Sequence, residues 1–187
     1  ADLFVDWLPK LISALSFDEA AVAEWRAAWA PITAAGEAGA TVMAHRDYHA
    51  ENLIRLDGRT GAASVGMIDF QDAVKAHPSW DLHSLLQDAR RDVPVAREQA
   101  MLALYTERAK QELSNFDEEE FRASYAVLGA ERALRLIGLW PRLLKRDGKP
   151  QYMAHMPRTQ DYLRRNLAHP ALRDLARWLD ANLHKKA

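Results

Sequence analysis

One stretch of this chain concentrates residues able to do chemistry: His45-Arg46-Asp47-Tyr48-His49-Ala50-Glu51-Asn52. Seventeen residues past Asn52, the run Val65-Gly66-Met67-Ile68 delivers a second acid, Asp69, followed by Phe70. A carboxylate and an amide on one short loop, with another carboxylate at the end of a strand, suit phosphoryl transfer to a hydroxyl. That reaction needs positioning and charge neutralisation more than covalent help. Asp47 would accept the proton of the attacking hydroxyl, and Asn52 and Asp69 would offer hard oxygen ligands to Mg²⁺. Each residue also has a plain structural reading. A lone loop acid usually caps or is solvated, and His45 reads as a packing and hydrogen-bonding residue beneath the loop. Asp72 either assists the metal or caps the next segment. Asp81 either caps a helix or supports the loop. His45 and His49 stand four apart, a zinc spacing on a helix, but the loop context and the missing Glu after His45 argue against that use.

The elements that must position this cluster read as follows. Phe4, Trp7, Leu8, Leu11, Ile12 and Leu15 recur at helical spacing, with Pro9 marking a start or a kink. Ser16 to Glu19 has the form of a capping box ahead of a second helix carrying Val22, Trp25 and Trp29. Pro31 is expected to stop it, and Gly36 and Gly39 to form a loop. Leu53–Leu56 and Ser64–Ile68 read as strands of a hairpin turned by Asp57-Gly58 and Gly61. Helices are expected around 80–90, 95–113 and 117–140, the last ending at Trp140-Pro141. A turn at 146–150 and helices near 157–167 and 170–184 complete the chain, with Pro170 suited to a first helical position. The fold class expected is mainly α with a small β-hairpin, in one body spanning 1–187.

Composition narrows the function. Among 187 residues, 25 Lys+Arg face 26 Asp+Glu, so neither a nucleic-acid tail nor a polybasic membrane patch is indicated. There is no cysteine, which excludes disulfides, thiolate nucleophiles and Cys-zinc sites. No apolar run approaches the roughly 18 residues of a membrane helix, and no signal peptide opens the chain, so a cytoplasmic protein is expected. The first residue is Ala1 rather than Met, consistent with a processed chain or a piece of a longer one.

His45-Arg46-Asp47 with Asn52 fits His-Arg-Asp-x-x-x-x-Asn, and the chain resembles the aminoglycoside phosphotransferase family of small-molecule kinases. Ile68-Asp69-Phe70-Gln71-Asp72-Ala73 stands in place of Asp-Phe-Gly. His77-Pro78-Ser79-Trp80-Asp81-Leu82 follows so soon that no activation loop fits between. Together with Leu85-Leu86-Gln87-Asp88-Ala89-Arg90-Arg91-Asp92-Val93, Arg146-Asp147-Gly148-Lys149-Pro150 and His169-Pro170-Ala171-Leu172, these segments look like the bacterial cell-wall amino-sugar kinases. The resemblance implies the C-terminal lobe of a protein-kinase-like fold, ATP as phosphoryl donor and Mg²⁺ as metal. It implies an amino-sugar acceptor in a cell-wall recycling step, with Arg132, Arg135, Arg142 and Tyr152 as candidate acceptor contacts.

The departure from the family is large. A Gly-rich phosphate strand-turn, a strand lysine and its helix glutamate should precede the catalytic loop. The 44 residues before His45 read as helix, Lys10 is their sole lysine, and Gly36 and Gly39 make no Gly-x-Gly-x-x-Gly. The N-terminal lobe is therefore expected to be missing and the isolated chain to be inactive. Rival readings are an aminoglycoside or choline-like kinase, a non-catalytic binding module that kept the shape, and a metal-dependent hydrolase using Asp47, His49, Asp69 and Asp72.

Overall fold

The computed structural model describes residues 2–39 and 41–183, apart from the side chains of 33–38. Helices α1 (Asp2–Leu11) and α2 (Glu19–Ala38) lead into strand β1 (Val42–Ala44). Strands β2 (Leu53–Arg55), β3 (Val65–Met67) and β4 (Val74–Ala76) follow. Helices α3 (Ser79–Leu86), α4 (Val95–Glu112), α5 (Glu118–Lys145), α6 (Met156–Leu167) and α7 (Arg173–Leu183) complete the order. The architecture is the expected α+β one, dominated by helices.

The hairpin falls where its turn residues put it. β2 pairs antiparallel with β3, Ile54 opposite Gly66, and Gly58 and Gly61 take φ of +75° and +59° in the connection. A second ladder was not foreseen: β1 pairs with β4, Met43 opposite Lys75. Val74–Ala76 is too short to show a period, so its pairing is set by tertiary placement.

Three helix boundaries differ from expectation. α2 runs through Pro31 and Gly36 to Ala38. Pro31 and Ala27, whose carbonyl loses its partner, both lie on the exposed face, where water can take that bond. α5 likewise runs through Pro141 to Lys145, because buried Trp140 and part-buried Leu143 keep the last turns packed on the core. The cap of α2 is Asp18, whose carboxylate accepts the Ala21 N–H at 2.8 Å, not Ser16. Smaller differences follow the same logic. α3 stops at Leu86, after which the Asp88 carboxylate takes the Arg90 N–H at 2.9 Å and turns the chain away. Pro150–His155 and Pro170–Leu172 form 3₁₀ turns, so Pro170 opens a 3₁₀ turn ahead of α7.

α5 is the central helix, and two glycines let it approach its neighbours. A Cβ at Gly138 would lie 2.3 Å from the Leu3 carbonyl of α1, and one at Gly129 would lie 2.7 Å from Asn166 of α6. The main core joins α1, α2, α5, α6 and α7 around Trp25, which stacks on Phe4 at 5.0 Å and meets Trp178 at 4.8 Å. The Trp178 indole donates to the Ala21 carbonyl at 3.0 Å, fixing α7 on α2. A smaller cluster of Leu86, Leu102, Phe121 and Tyr125 ties α3 and α4 to the other end of α5. The strands and the loop after β3 carry exposed apolar side chains, among them Met43, Met67, Ile68 and Phe70.

Candidate active site

The reactive residues lie in the two loops between the ladders, 45–52 after β1 and 68–73 before β4. The first loop is closed on itself. The Asp47 carbonyl accepts the His49 N–H and the Asn52 side-chain Nδ2, both at 2.9 Å. That spends the amide nitrogen of Asn52 and leaves its oxygen as the donor of metal-ligand type. Asn52 is buried, whereas the Asp47 side chain is exposed.

The second loop is bolted to the first. The Ile68 N–H donates to the Asn52 carbonyl at 3.1 Å, and His45 Nε2 lies 2.8 Å from the Ile68 carbonyl. A carbonyl only accepts, so Nε2 carries the ring proton of His45. Buried His45 therefore bridges the two loops. These two bonds fix the residue next in line, Asp69, whose Oδ1 accepts from Gln71 at 2.7 Å.

Asp81, in the first turn of α3, spans the base of the site. Its Oδ2 accepts the His45 N–H at 2.7 Å and its Oδ1 accepts the Arg46 N–H at 3.1 Å. These two bonds hold the start of the loop at His45 and Arg46. Asp72 contributes through its backbone: its carbonyl lies 3.5 Å from an Arg46 guanidinium nitrogen. Among the described residues, the two non-glycine positions with left-handed φ are Arg46, at +73°, and Asp69, at +65°. Such conformations cost about 1–3 kcal/mol each and persist where the surroundings over-determine them. Here they fall beside the catalytic candidate and on the metal candidate.

Burial and neighbouring charge shape the protonation states. Burial pushes the His49 pKa down, helped by the Arg90 guanidinium and opposed by Asp88, Glu51 and Asp47. Burial also pushes Tyr48 up, with the Asp81 charge adding to it. His83, wholly inside beneath Arg132 and Arg135, is held well below the ordinary histidine range and stays neutral. Among the described residues no group of three or more His, Cys, Asp or Glu side chains is arranged to hold a metal ion. Asp47, His49, Asp69 and Asp72 thus do not assemble as a metal cluster of their own.

The four candidate acceptor residues separate. The Arg132 guanidinium is buried and donates to the Arg46 carbonyl at 3.4 Å. Arg135 lies one turn on, close enough to lower the Arg132 pKa. Arg142 sits ten residues from Arg132, about 15 Å along the helix axis. Tyr152 stacks on Trp140 at 5.6 Å toward the same far end. Lys10 closes α1 with its ammonium over the Trp7 ring at 3.8 Å, so it is not a strand lysine. Two site features had no reading from sequence: the grip of Arg132 on the loop backbone, and the Arg90–Glu51 ion pair at 3.5 Å that ties the segment after α3 to the loop. The run Asp88-Ala89-Arg90-Arg91-Asp92 was the visible signal for the second.

Residues 2–123 match the model of the APH phosphotransferase enzyme family, and the chain belongs to that family. It is similar to a protein of Caulobacter vibrioides named N-acetylmuramate/N-acetylglucosamine kinase, 55% identical over 179 residues, which covers 96% of this chain and 48% of that protein. A Pseudomonas putida protein of the same name is 30% identical over 164 residues, 87% of this chain and 47% of that one. The chain thus spans about half the length of the curated relatives it matches. Among the described residues no helix is long and apolar enough to cross a membrane.

Proposed function

We propose that this chain is the acceptor-side lobe of a protein-kinase-like phosphotransferase, which moves the γ-phosphate of ATP to a hydroxyl of an amino sugar. The observation that carries the reading is the pair of ties at Asn52. Its side chain holds the Asp47 carbonyl and its own carbonyl holds the residue before Asp69. These ties connect the two segments that carry the proposed base and both proposed oxygen ligands. Asp47 accepts a hydrogen bond from the acceptor hydroxyl and takes its proton as the oxygen attacks the phosphorus. Its exposed carboxylate makes that contact feasible. Asn52 and Asp69 would hold Mg²⁺. Two protein oxygens suit this ion, which keeps waters and phosphate oxygens for its other positions. When bound, it neutralises charge on the phosphates. Asp69 is presented by a strained backbone and Asn52 by a buried amide, so both are set before the ion arrives.

The names of the relatives support the amino-sugar acceptor, and the proposal extends to a cell-wall recycling role in the cytoplasm. The exposed apolar surface of the strands supports a second, nucleotide-binding lobe of the whole protein packed against it. Met43 is 72% and Phe70 62% exposed, far more than a finished surface needs. On this reading the 187-residue chain alone transfers no phosphate.

The test is a transfer assay with the full-length protein, ATP and Mg²⁺ against N-acetylmuramate, N-acetylglucosamine, an aminoglycoside and choline. The expected result is phosphate on the amino sugars. Transfer to the aminoglycoside or choline with none to either sugar overturns the acceptor, and robust turnover by the isolated chain overturns the two-lobe reading.

A further inference from the structure

Arg132 is a buried charge without an ion-pair partner among the described residues. Its side chain comes from the middle of α5 and is 7% exposed, and its Nε has no hydrogen-bond partner. Among the described residues no carboxylate pairs with it directly; Asp47 and Asp88 attract it from further away. Burial, with the like charge of Arg135, lowers its pKa to about 10, so it is still a cation at neutral pH. Burying a guanidinium without a paired carboxylate is costly, because its charge loses water and gains no partner. A local rule broken this way points to function.

The compensating contact is with the loop. Arg132 Nη1 donates to the Arg46 carbonyl at 3.4 Å, while the Arg46 N–H is held by Asp81 at 3.1 Å. Residue 46 is thus gripped on both of its backbone polar groups, from two different helices, and it is the residue with φ of +73°. The carbonyl that Arg132 holds belongs to the peptide that starts Asp47. We infer that Arg132 is a positioning residue: from α5 it locks the strained Arg46–Asp47 peptide and so aims the Asp47 carboxylate at the acceptor. The cation attracts that carboxylate without touching it, which leaves both oxygens free for the incoming hydroxyl. A lysine would keep the charge but lose the planar fork that meets a carbonyl at a fixed angle.

The consequence for turnover rests on the phosphotransferase reading, and the experiment separates the two. Arg132→Met and Arg132→Lys are made in the full-length protein. Amide hydrogen exchange across residues 45–52 is then measured alongside kcat and KM. The expected result for Arg132→Met is exchange in the loop faster by about tenfold or more, with the core helices unchanged. The turnover should fall by about 10²-fold with both KM values nearly constant, as for a displaced catalytic group. Arg132→Lys should fall between the two. Unchanged exchange in the loop for both variants overturns the proposal. A raised acceptor KM at constant kcat also overturns it, since that makes Arg132 an acceptor contact instead. If the unsubstituted protein phosphorylates no amino sugar, the functional reading fails, and the exchange measurement still decides the role of Arg132.

Discussion

The Oδ2 atom of Asp81 accepts the backbone N–H of His45 at 2.7 Å, across 36 residues of sequence. With the Arg46 N–H on its other oxygen, the carboxylate substitutes for a strand partner at the point where β1 ends. Asp81→Ala leaves two largely buried N–H groups without acceptors. Destabilisation of about 2–6 kcal/mol is expected, since each orphaned donor costs about 1–3 kcal/mol. Denaturant unfolding measures it. Asp81→Asn keeps one acceptor oxygen and should lose roughly half as much.

Asp47 bears no packing load, because its side chain is exposed and only its backbone is bonded. Asp47→Asn should therefore change the unfolding midpoint little, by no more than its attraction for the Arg132 guanidinium contributes. In the full-length protein kcat should fall by about 10²–10⁴-fold, the usual loss of a general base. A melting curve beside a single-turnover phosphate assay separates the two effects. A kcat within a few-fold of the parent would remove Asp47 from the mechanism.

The contact of Gly138 with Leu3 sets how closely α1 lies on α5. A methyl group at 138 meets backbone at 2.3 Å, where no rotamer change gives relief. Gly138→Ala should displace α1, and overpacking of this kind costs about 1–3 kcal/mol or more. The tryptophan cluster offers the readout, because Phe4 of α1 stacks on Trp25. Near-ultraviolet circular dichroism should change along with the midpoint.

His83 makes stability depend on pH. Its folded pKa lies well below 6.5, so between that value and 6.5 the unfolded chain binds a proton that the folded chain refuses. The contribution is complete above pH 6.5 and is lost as the pH falls below it, by up to about 1.4 kcal/mol per pH unit. His49 and His77 are shifted in the same direction and add to the slope. His83→Leu removes the titrating ring and keeps an apolar side chain at this buried position. Urea unfolding at pH 7.5 and 5.5 should show a smaller difference for that variant than for the parent.

The exposed strip on the strands should bind a hydrophobic dye in the 187-residue chain. Phe70→Ser with Met43→Ser should reduce that binding without lowering the unfolding midpoint, since both side chains are mostly in solvent. In a full-length protein whose second lobe covers the strip, the same pair should be destabilising. Equal dye binding before and after substitution would place the apolar surface elsewhere.

Local pattern carries much of this protein. The 3.6-residue spacing of apolar side chains placed α4 and α6 within a residue or so, because each buries one face whatever its partner. Asp-Gly and Gly61 fixed the β2–β3 turn, since left-handed backbone there needs those residues. The spacing from Asp47 to Asn52 and on to Asp69 marked the proposed site, whose segments one loop and one hairpin connect. Tertiary structure decided the rest. Whether Pro31 and Pro141 end a helix depends on solvent and on packing beyond them, not on the proline. β4 exists because β1 is beside it. Left-handed φ at Arg46 and Asp69 is invisible in residue type, and it persists because bonds from Asp81, Arg132, His45 and Asn52 converge on their peptides. Sequence names the groups that can move a proton or hold an ion; the distant helices α3 and α5 determine where those groups point.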